Sequence, residues 1–307
     1  MQIQTNISLK DYTTTGIGGK AKYFVLVSTQ EELIQALKYA QEKDLKYFIL
    51  GGGSNLLVSD QGFDGLVIKN EIDEISIDRE IITVSSGTHL GKLISLTIKN
   101  NLAGLHKLMG IPGTVGGAIF GNAGAYGVAA GDHIIQVTFF DGKTITTLTK
   151  DGCKFGYRES IFKTKPYTIL EAKFKLEKGD TKTLMEEVKQ ILPQRSKYSG
   201  LRCPGSFFKN IPAASVLPEV LKNIPEDKIN HGKIPAGYLL ESIGAKGKRI
   251  GDIQVSEGNA NLIVNLGEGT SKDWHKLVSE LVKLVQEKFG ITLEPEVQLI
   301  NLPPLNN

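Results

Sequence analysis

The sequence predicts an α+β protein. Three observations lead there. Windows with helical spacing are interspersed with short apolar, β-branched runs. No internal repeat and no low-complexity linker interrupts them. The 34 glycines exceed the average share of about 7% and lie in clusters that break regular elements. Hydrophobic residues at 40% and charged residues at 22% of 307 are enough for a packed core.

The elements follow in order. Residues 29–43, TQEELIQALKYAQEK, open with the capping box Thr29-x-x-Glu32 and carry Leu33, Ala36, Leu37 and Ala40 at helical spacing. KYFIL (46–50) reads as a strand running into GGGSNLLV (51–58). GLVIKN (65–70) and IITVSSG (81–87) read as strands, and 88–101 as a helix. MGIPGTVGGAIFGNAGAYG (109–127) is too dense in glycine for a regular element. Short strands and turns continue to about 178. TLMEEVKQIL (183–192) reads as a helix ended by Pro193. PAGYLLESIG (235–244) reads as a helix stopped by Gly244, and NLIVNL (261–266) as a strand. Ser271 is the expected cap of KDWHKLVSELVKLVQEKF, where Trp274, Leu277, Val278, Leu281 and Val285 form one apolar stripe before Gly290. ITLEPEVQLI (291–300) reads as a strand with Pro295 at an edge or a bulge. Periodicity breaks at PQRSKYSGLRCPG, which sets a domain cut near 193–200.

A net charge of +3 without a dense Lys/Arg run excludes a sequence-independent nucleic-acid binder but permits a local basic pocket for an anion. MQIQTNISLK lacks the apolar core of a signal peptide, and no apolar run is long enough for a bilayer. Cys153 and Cys203 are far apart and have no nearby Cys or His, which argues against zinc or a disulfide and fits a reducing cytoplasm.

Glycine-rich turns present open backbone N–H groups that bind phosphates. GGGSNLLV nevertheless fails the dinucleotide fingerprint G-x-G-x-x-G, because Leu56 stands where the third glycine belongs. No P-loop is present either. GIPGTVGGA (110–118) is a second such loop, so either a pyrophosphate is held from two sides or both are only tight turns. CPGSFFKN (203–210) poses a different question. Ser206 cannot sit on a nucleophile elbow, because Phe208 occupies the second glycine of G-x-S-x-G. Alone it reads as a turn serine bonding nearby backbone.

GGGSNLLV, GIPGTVGGAIFGNAGAYG, GYRES, GSFFKN and LEPEV, in this order, resemble the UDP-N-acetylenolpyruvoylglucosamine reductase (MurB) family, from about Tyr12 to Leu299. The resemblance implies an FAD-binding domain of the vanillyl-alcohol-oxidase (PCMH) type over 1–195, in two α+β subdomains of about 1–70 and 71–195. A C-terminal α+β substrate-binding domain over 196–307 would follow. Gly51, Gly52, Gly53, Ser54 and Asn55 would wrap the FAD pyrophosphate with Leu56 alongside. Pro112, Gly113, Gly116 and Gly117 would face them, and Asn122, Ala125, Tyr126 and Gly127 would lie near the flavin or its supporting loop. The family reduces UDP-N-acetylglucosamine enolpyruvate to UDP-N-acetylmuramate, a peptidoglycan precursor, with NADPH as co-substrate. It needs no metal, and a cytoplasmic monomer is the favoured state.

That reaction implies hydride addition at C3 and protonation at C2. By resemblance Ser206 is the proton donor, Arg158 of GYRES holds the growing carboxylate charge, and Glu296 is the catalytic glutamate, most useful if protonated. Lys209 and Asn210 would bind substrate or order the serine loop. Other readings of these residues are an arginine paired with Glu159, two edge-strand charges at Glu294 and Glu296, and a solvated lysine. Arg158 and Ser206 are 48 positions apart (206 − 158), which matches the shorter family type without a substrate-covering tyrosine segment. Arg195, Lys197 and Tyr198 are candidates to close the site instead. Pro204, His106 and Asn259 depart from alanine, glutamate and histidine respectively. The alternatives are a flavin oxidase on another substrate, against which Ser206, Arg158 and Glu296 together argue, and a non-enzymatic flavin or nucleotide binder with a degenerate site, against which intact GYRES, GSFFKN and LEPEV argue.

Overall fold

The computed structural model describes residues 1–196 and 198–305. Two compact units emerge, neither contiguous in sequence. The first comprises Met1–Ile7, Lys22–Gly52 and Asp64–Ser199; the second comprises Ser8–Ala21, Gly53–Phe63 and Gly200 onward. A contiguous cut at 195/196 would leave two N-terminal segments with the first unit. Burial draws them into the second, where Ile17 and Leu57 join the apolar cluster around Trp274.

The first unit contains two sheets. One has the order Gln4–Ser8, Lys20–Val27, Phe63–Asn70, Tyr47–Leu50, with the last two parallel. The helix Gln30–Glu42 packs on it through Leu33, Ala36, Leu37 and Ala40, all fully buried against Val25, Leu66 and Ile68. Thr29 caps this helix by accepting the Glu32 N–H (3.2 Å). Glu32 returns the bond one residue earlier than a capping box would, to the Ser28 N–H (2.9 Å). The second sheet is antiparallel, in the order Ile145–Thr149, Ile134–Phe140, Thr168–Lys175, Ile81–Ser85, Ile75–Asp78. The helices Leu90–Lys99, Val115–Phe120 and Thr181–Ser196 contribute Leu93, Ile119 and Val188 to its core.

The second unit is organised by the helix Ser271–Phe289. Trp274, Leu277, Val278, Leu281 and Val285 are all essentially buried, each contributing about 1.5–3 kcal/mol by leaving water. The three-stranded sheet Arg249–Ile250, Ile253–Val255, Ile263–Asn265 and the helix Ala236–Ser242 complete the cluster. Gln298–Ile300 pairs in parallel with Leu56–Val58, so the glycine loop's exit strand belongs to this unit. Among the described residues no helix is long and apolar enough to cross a membrane.

Four expectations need correction. The glycine-dense stretch 109–127 does contain a helix, Val115–Phe120, because Thr114 caps it and Val115, Ala118 and Ile119 are buried, which outweighs glycine's low propensity. The helix beginning at 181 does not end at Pro193 but runs to Ser196. Pro193 lies in its last turn, where the missing N–H removes only one bond. Ser271 is the first helical residue and not the cap; Thr270 accepts the Asp273 N–H (3.0 Å), while the Ser271 hydroxyl donates to Asp60 (2.7 Å). Residues 291–300 form a strand only over Gln298–Ile300, with a single bridge from Pro295 to Phe208 before it.

Candidate active site

In the first unit the two glycine-rich stretches meet backbone to backbone. A Cβ on Gly52 would lie 2.6 Å from Gly113 Cα, one on Gly51 2.5 Å from Thr114 Oγ1, and one on Gly116 2.9 Å from Ser86 Cβ. Larger residues would push these loops apart. Lys69 Nζ donates to the Gly51 carbonyl at 2.9 Å and steadies the strand end. Pro112 and Gly117 are exposed beside this junction, and Gly51, Gly52 and Gly113 are half-buried.

Asn122 is buried with φ +42. Its amide donates to the Gly156 carbonyl (2.7 Å) and its oxygen accepts the Gly131 N–H (2.9 Å). The amide end therefore supports the turn that carries Arg158, while the oxygen end ties down the turn at Gly131. Ser160 adds a bond to the Phe120 carbonyl (2.7 Å). Within this turn Gly156 and Glu159 pair, and Arg158 adopts φ +59. For a residue with a side chain, that region costs on the order of 1–3 kcal/mol and persists where surroundings enforce it. Arg158 Nη2 donates to the Gly124 carbonyl at 2.9 Å, and its guanidinium lies 5.3 Å from the Tyr157 ring centre. Glu159 sits 3.6 Å from Lys163.

Gly124 opens a hairpin with Val128↔Ala125 pairing and Tyr126-Gly127 at its tip. Both tip residues have positive φ, +52 and +79, as a type I′ turn requires. Tyr126 is exposed. Arg195, in the last turn of its helix, places its guanidinium 5.4 Å from the Tyr126 ring centre, and Gln194 accepts the Tyr126 hydroxyl proton (3.2 Å). Tyr198 donates its N–H to the Arg195 carbonyl. Lys197, the third candidate for closing the site, lies outside the described residues.

In the second unit Ser206 stands between an exposed Gly205 (φ +83) and two buried phenylalanines. Phe207 and Phe208 pack edge to face at 5.0 Å, and Phe207 stacks 6.2 Å from Trp274. Asn261 grips both backbones: its carbonyl accepts the Phe207 N–H (2.8 Å), its side-chain oxygen the Phe208 N–H (2.9 Å), and its amide donates to the Phe208 carbonyl (2.9 Å). The phenylalanines point into the core, so the intervening geometry leaves Ser206 exposed. Among the described residues nothing hydrogen-bonds its hydroxyl, so it is not a turn serine tied to local backbone. Asn261 was not singled out from sequence; an asparagine opening a buried apolar strand is the signal for it.

The Glu296 N–H donates to the Phe207 carbonyl (2.8 Å), and the Glu296 carbonyl accepts from the Asn55 amide (3.1 Å). Gln298 N–H returns to the Asn55 carbonyl (3.0 Å). Glu296 is half-buried and Glu294 exposed; no strand runs through them, so they do not share a strand face. Glu294 instead pairs with Lys209 (2.5 Å) and accepts its N–H through the backbone (2.9 Å). Lys209 is 9% exposed and is not a solvated charge. Asn210 accepts the Ala236 N–H (3.1 Å). Of the three departures, His106 is buried against Glu187 (3.0 Å), Asn259 accepts the Asn261 N–H (3.0 Å), and Pro204 is buried.

The first unit thus holds two glycine stretches in backbone contact and an arginine at positive φ, and the second holds an exposed serine whose neighbour's backbone is bonded to Glu296. Residues 21–148 match the family model described as an FAD binding domain, so the chain is an FAD-binding oxidoreductase. Residues 193–300 match the C-terminal domain of UDP-N-acetylenolpyruvoylglucosamine reductase. The chain is 38% identical over 303 residues to a protein of that name from Solibacter usitatus, covering 98% of this chain and 97% of the relative. It is 36% identical over 299 residues to one from Exiguobacterium sibiricum, covering 96% and 92%. The crystal structure of the Thermus caldophilus reductase (MurB) superposes with a TM-score of 0.78 at 32% identity, covering 98% of this chain and 99% of that one. The chain belongs to the UDP-N-acetylenolpyruvoylglucosamine reductase family.

Proposed function

We propose that this protein reduces the enolpyruvyl ether of UDP-N-acetylglucosamine enolpyruvate to UDP-N-acetylmuramate in peptidoglycan precursor synthesis. NADPH is the electron donor, and the reaction takes place in the cytoplasm. One observation carries the reading most directly: an exposed serine hydroxyl, presented by two core phenylalanines, on a backbone bonded to the residue the family uses as its glutamate.

The residues present fit FAD. Gly51, Gly52, Gly53, Ser54, Asn55 and Leu56 would hold the pyrophosphate, with Pro112, Gly113, Gly116 and Gly117 on the other wall. Gly51, Gly52, Gly53 and Gly116 leave no room for a Cβ, so at these positions the backbone itself lines the cradle. Ala125, Tyr126 and Gly127 would line the flavin end, and Asn122 would act through the turn it supports. When bound, FAD supplies hydride taken up from NADPH. The region 1–195 would carry the cofactor, and 196–307 most of the substrate contacts.

Hydride addition at C3 moves the double-bond electrons to C2 and into the carboxylate. Arg158 would hold that carboxylate with a planar guanidinium, a contact that strengthens as charge accumulates. Glu296, protonated, would donate a further hydrogen bond to it. Ser206 would give its proton to C2; the alkoxide left behind is reprotonated from solvent, to which the side chain is open. A hydroxyl suffices because the carbanion-like intermediate is a strong base. Lys209 and Asn210 would order the serine loop through Glu294 and the Ala236 N–H.

The test is the visible spectrum of the purified, FAD-loaded protein under anaerobic NADPH, followed by addition of the enolpyruvyl sugar nucleotide. Bleaching and then recovery of the yellow colour is expected. Bleaching without recovery would overturn the substrate assignment and favour an oxidase, and failure to take up FAD would overturn the cofactor assignment.

A further inference from the structure

Arg195 is a charge that the fold positions carefully and leaves unmatched. Its guanidinium lies over Tyr126, but its Nε is buried without a hydrogen-bond partner. Among the described residues no carboxylate comes within ion-pair distance of it. Burial pushes its pKa below the ordinary arginine range; the Tyr126 phenol opposes that shift, and the positive charge of Arg158 adds to it. A partly desolvated cation beside a second cation is unfavourable unless an anion completes the set.

Three features hold Arg195 in this position. The helix Thr181–Ser196 runs one turn past Pro193 and so delivers it. Gly110, at φ +82, lets the side chain pass: a Cβ there would lie 2.7 Å from Arg195 Cδ. The Tyr126-Gly127 tip supplies the ring on which the guanidinium rests, and the same hairpin provides, at Gly124, the carbonyl that takes the Arg158 Nη2 proton. One small hairpin therefore carries both guanidiniums.

We infer that Arg195 is a second carboxylate-binding arginine, which with Arg158 holds the enolpyruvyl carboxylate of the substrate. This rests on the reductase reading above, which assigns the carboxylate to Arg158. A substrate carboxylate has two oxygens and four lone-pair directions, enough for two guanidinium donors. Its charge grows as C2 becomes electron-rich, so two cations stabilise the transition state more than the bound ground state.

The experiment compares FAD-loaded wild type with Arg195→Gln and Arg195→Lys. Retention of the bound flavin's visible absorbance after gel filtration shows that both variants fold and hold FAD. Equilibrium binding is then measured for UDP-N-acetylmuramate, which bears the carboxylate, and for UDP-N-acetylglucosamine, which lacks it. Arg195→Gln should weaken the first about 10- to 100-fold, the worth of one charge-assisted bond pair, and leave the second unchanged. Reoxidation by the enolpyruvyl substrate should slow in parallel, with Arg195→Lys intermediate. Equal weakening of both ligands would overturn the inference and assign Arg195 to the diphosphate. No change in either would remove it from the site. A wild type that NADPH bleaches but the enolpyruvyl substrate never reoxidises would defeat the reductase reading itself, a result distinct from both.

Discussion

The backbone N–H of Glu296 donates to the carbonyl of Phe207 at 2.8 Å, tying the residue that follows Ser206 to a segment 89 positions later (296 − 207). Ser206 is thereby set by the backbone that follows it. Its position should survive removal of the hydroxyl, so a side-chain substitution there reports chemistry more than structure.

Ser206→Ala should leave flavin bleaching by NADPH intact and slow reoxidation by the enolpyruvyl substrate about 10²–10⁴-fold, the scale of one general acid. Its hydroxyl is exposed and has no hydrogen-bond partner among the described residues, so the unfolding free energy should move by less than about 0.5 kcal/mol. Stopped-flow absorbance and urea unfolding on the same preparation check both. Unchanged reoxidation would take Ser206 out of the acid role.

Asn261→Ala should do the reverse. Its side chain satisfies the Phe208 N–H and C=O inside the core. Losing two bonds to buried backbone should destabilise the fold by roughly 2–4 kcal/mol. Reoxidation should slow as well, because Ser206 loses its fixed frame. A loss of stability with the rate unaffected would separate the phenylalanine clamp from serine placement.

Gly52→Ala should release FAD, since its Cβ would lie 2.6 Å from Gly113 Cα and the two loops would have to part. Gly121→Ala is the control. It also sits in the glycine-rich stretch, but its nearest new contact is 3.6 Å away. Free-flavin fluorescence on dilution should rise at least about tenfold more for Gly52→Ala, equivalent to about 1.4 kcal/mol. Equal retention by both variants would argue against the loop junction as the cradle.

Cys153 gives a pH prediction. Burial alone pushes its thiol up to about 11, against an unfolded value near 9.0. The folded state keeps its proton where the unfolded state loses it, so this contribution is complete below about pH 9 and is lost as pH rises towards 11. Two pH units correspond to a contribution on the order of 2–3 kcal/mol. Urea midpoints from pH 8 to 11.5 should fall more steeply for wild type than for Cys153→Ala. Parallel slopes would mean that Cys153 is not the titrating group.

Local pattern carried much of the fold. The stripe Trp274, Leu277, Val278, Leu281 and Val285 and the Gly290 stop are legible because a 3.6-residue period and a positive-φ glycine are properties of adjacent residues. Leu33, Ala36, Leu37 and Ala40 are legible for the same reason. The ordered motifs and their spacing were enough to indicate the family and FAD.

What stayed hidden depended on partners distant in sequence. Thr270 rather than Ser271 caps the long helix because Asp60, 211 positions earlier, takes the Ser271 hydroxyl. Glu294 leaves the expected strand because Lys209, 85 positions earlier, holds it. Asn55 and Asn261 each join backbone segments that no sequence period relates. The residues QRSKY offered Arg195 as a candidate to close the site, but its buried Nε without a partner is invisible there, because partners are set by the fold. The sequence by itself determined which faces must be buried and which backbones must be glycine, because those are local steric and hydrophobic requirements. Only the tertiary structure decided which polar groups find partners, because chain closure brings those partners together across long separations.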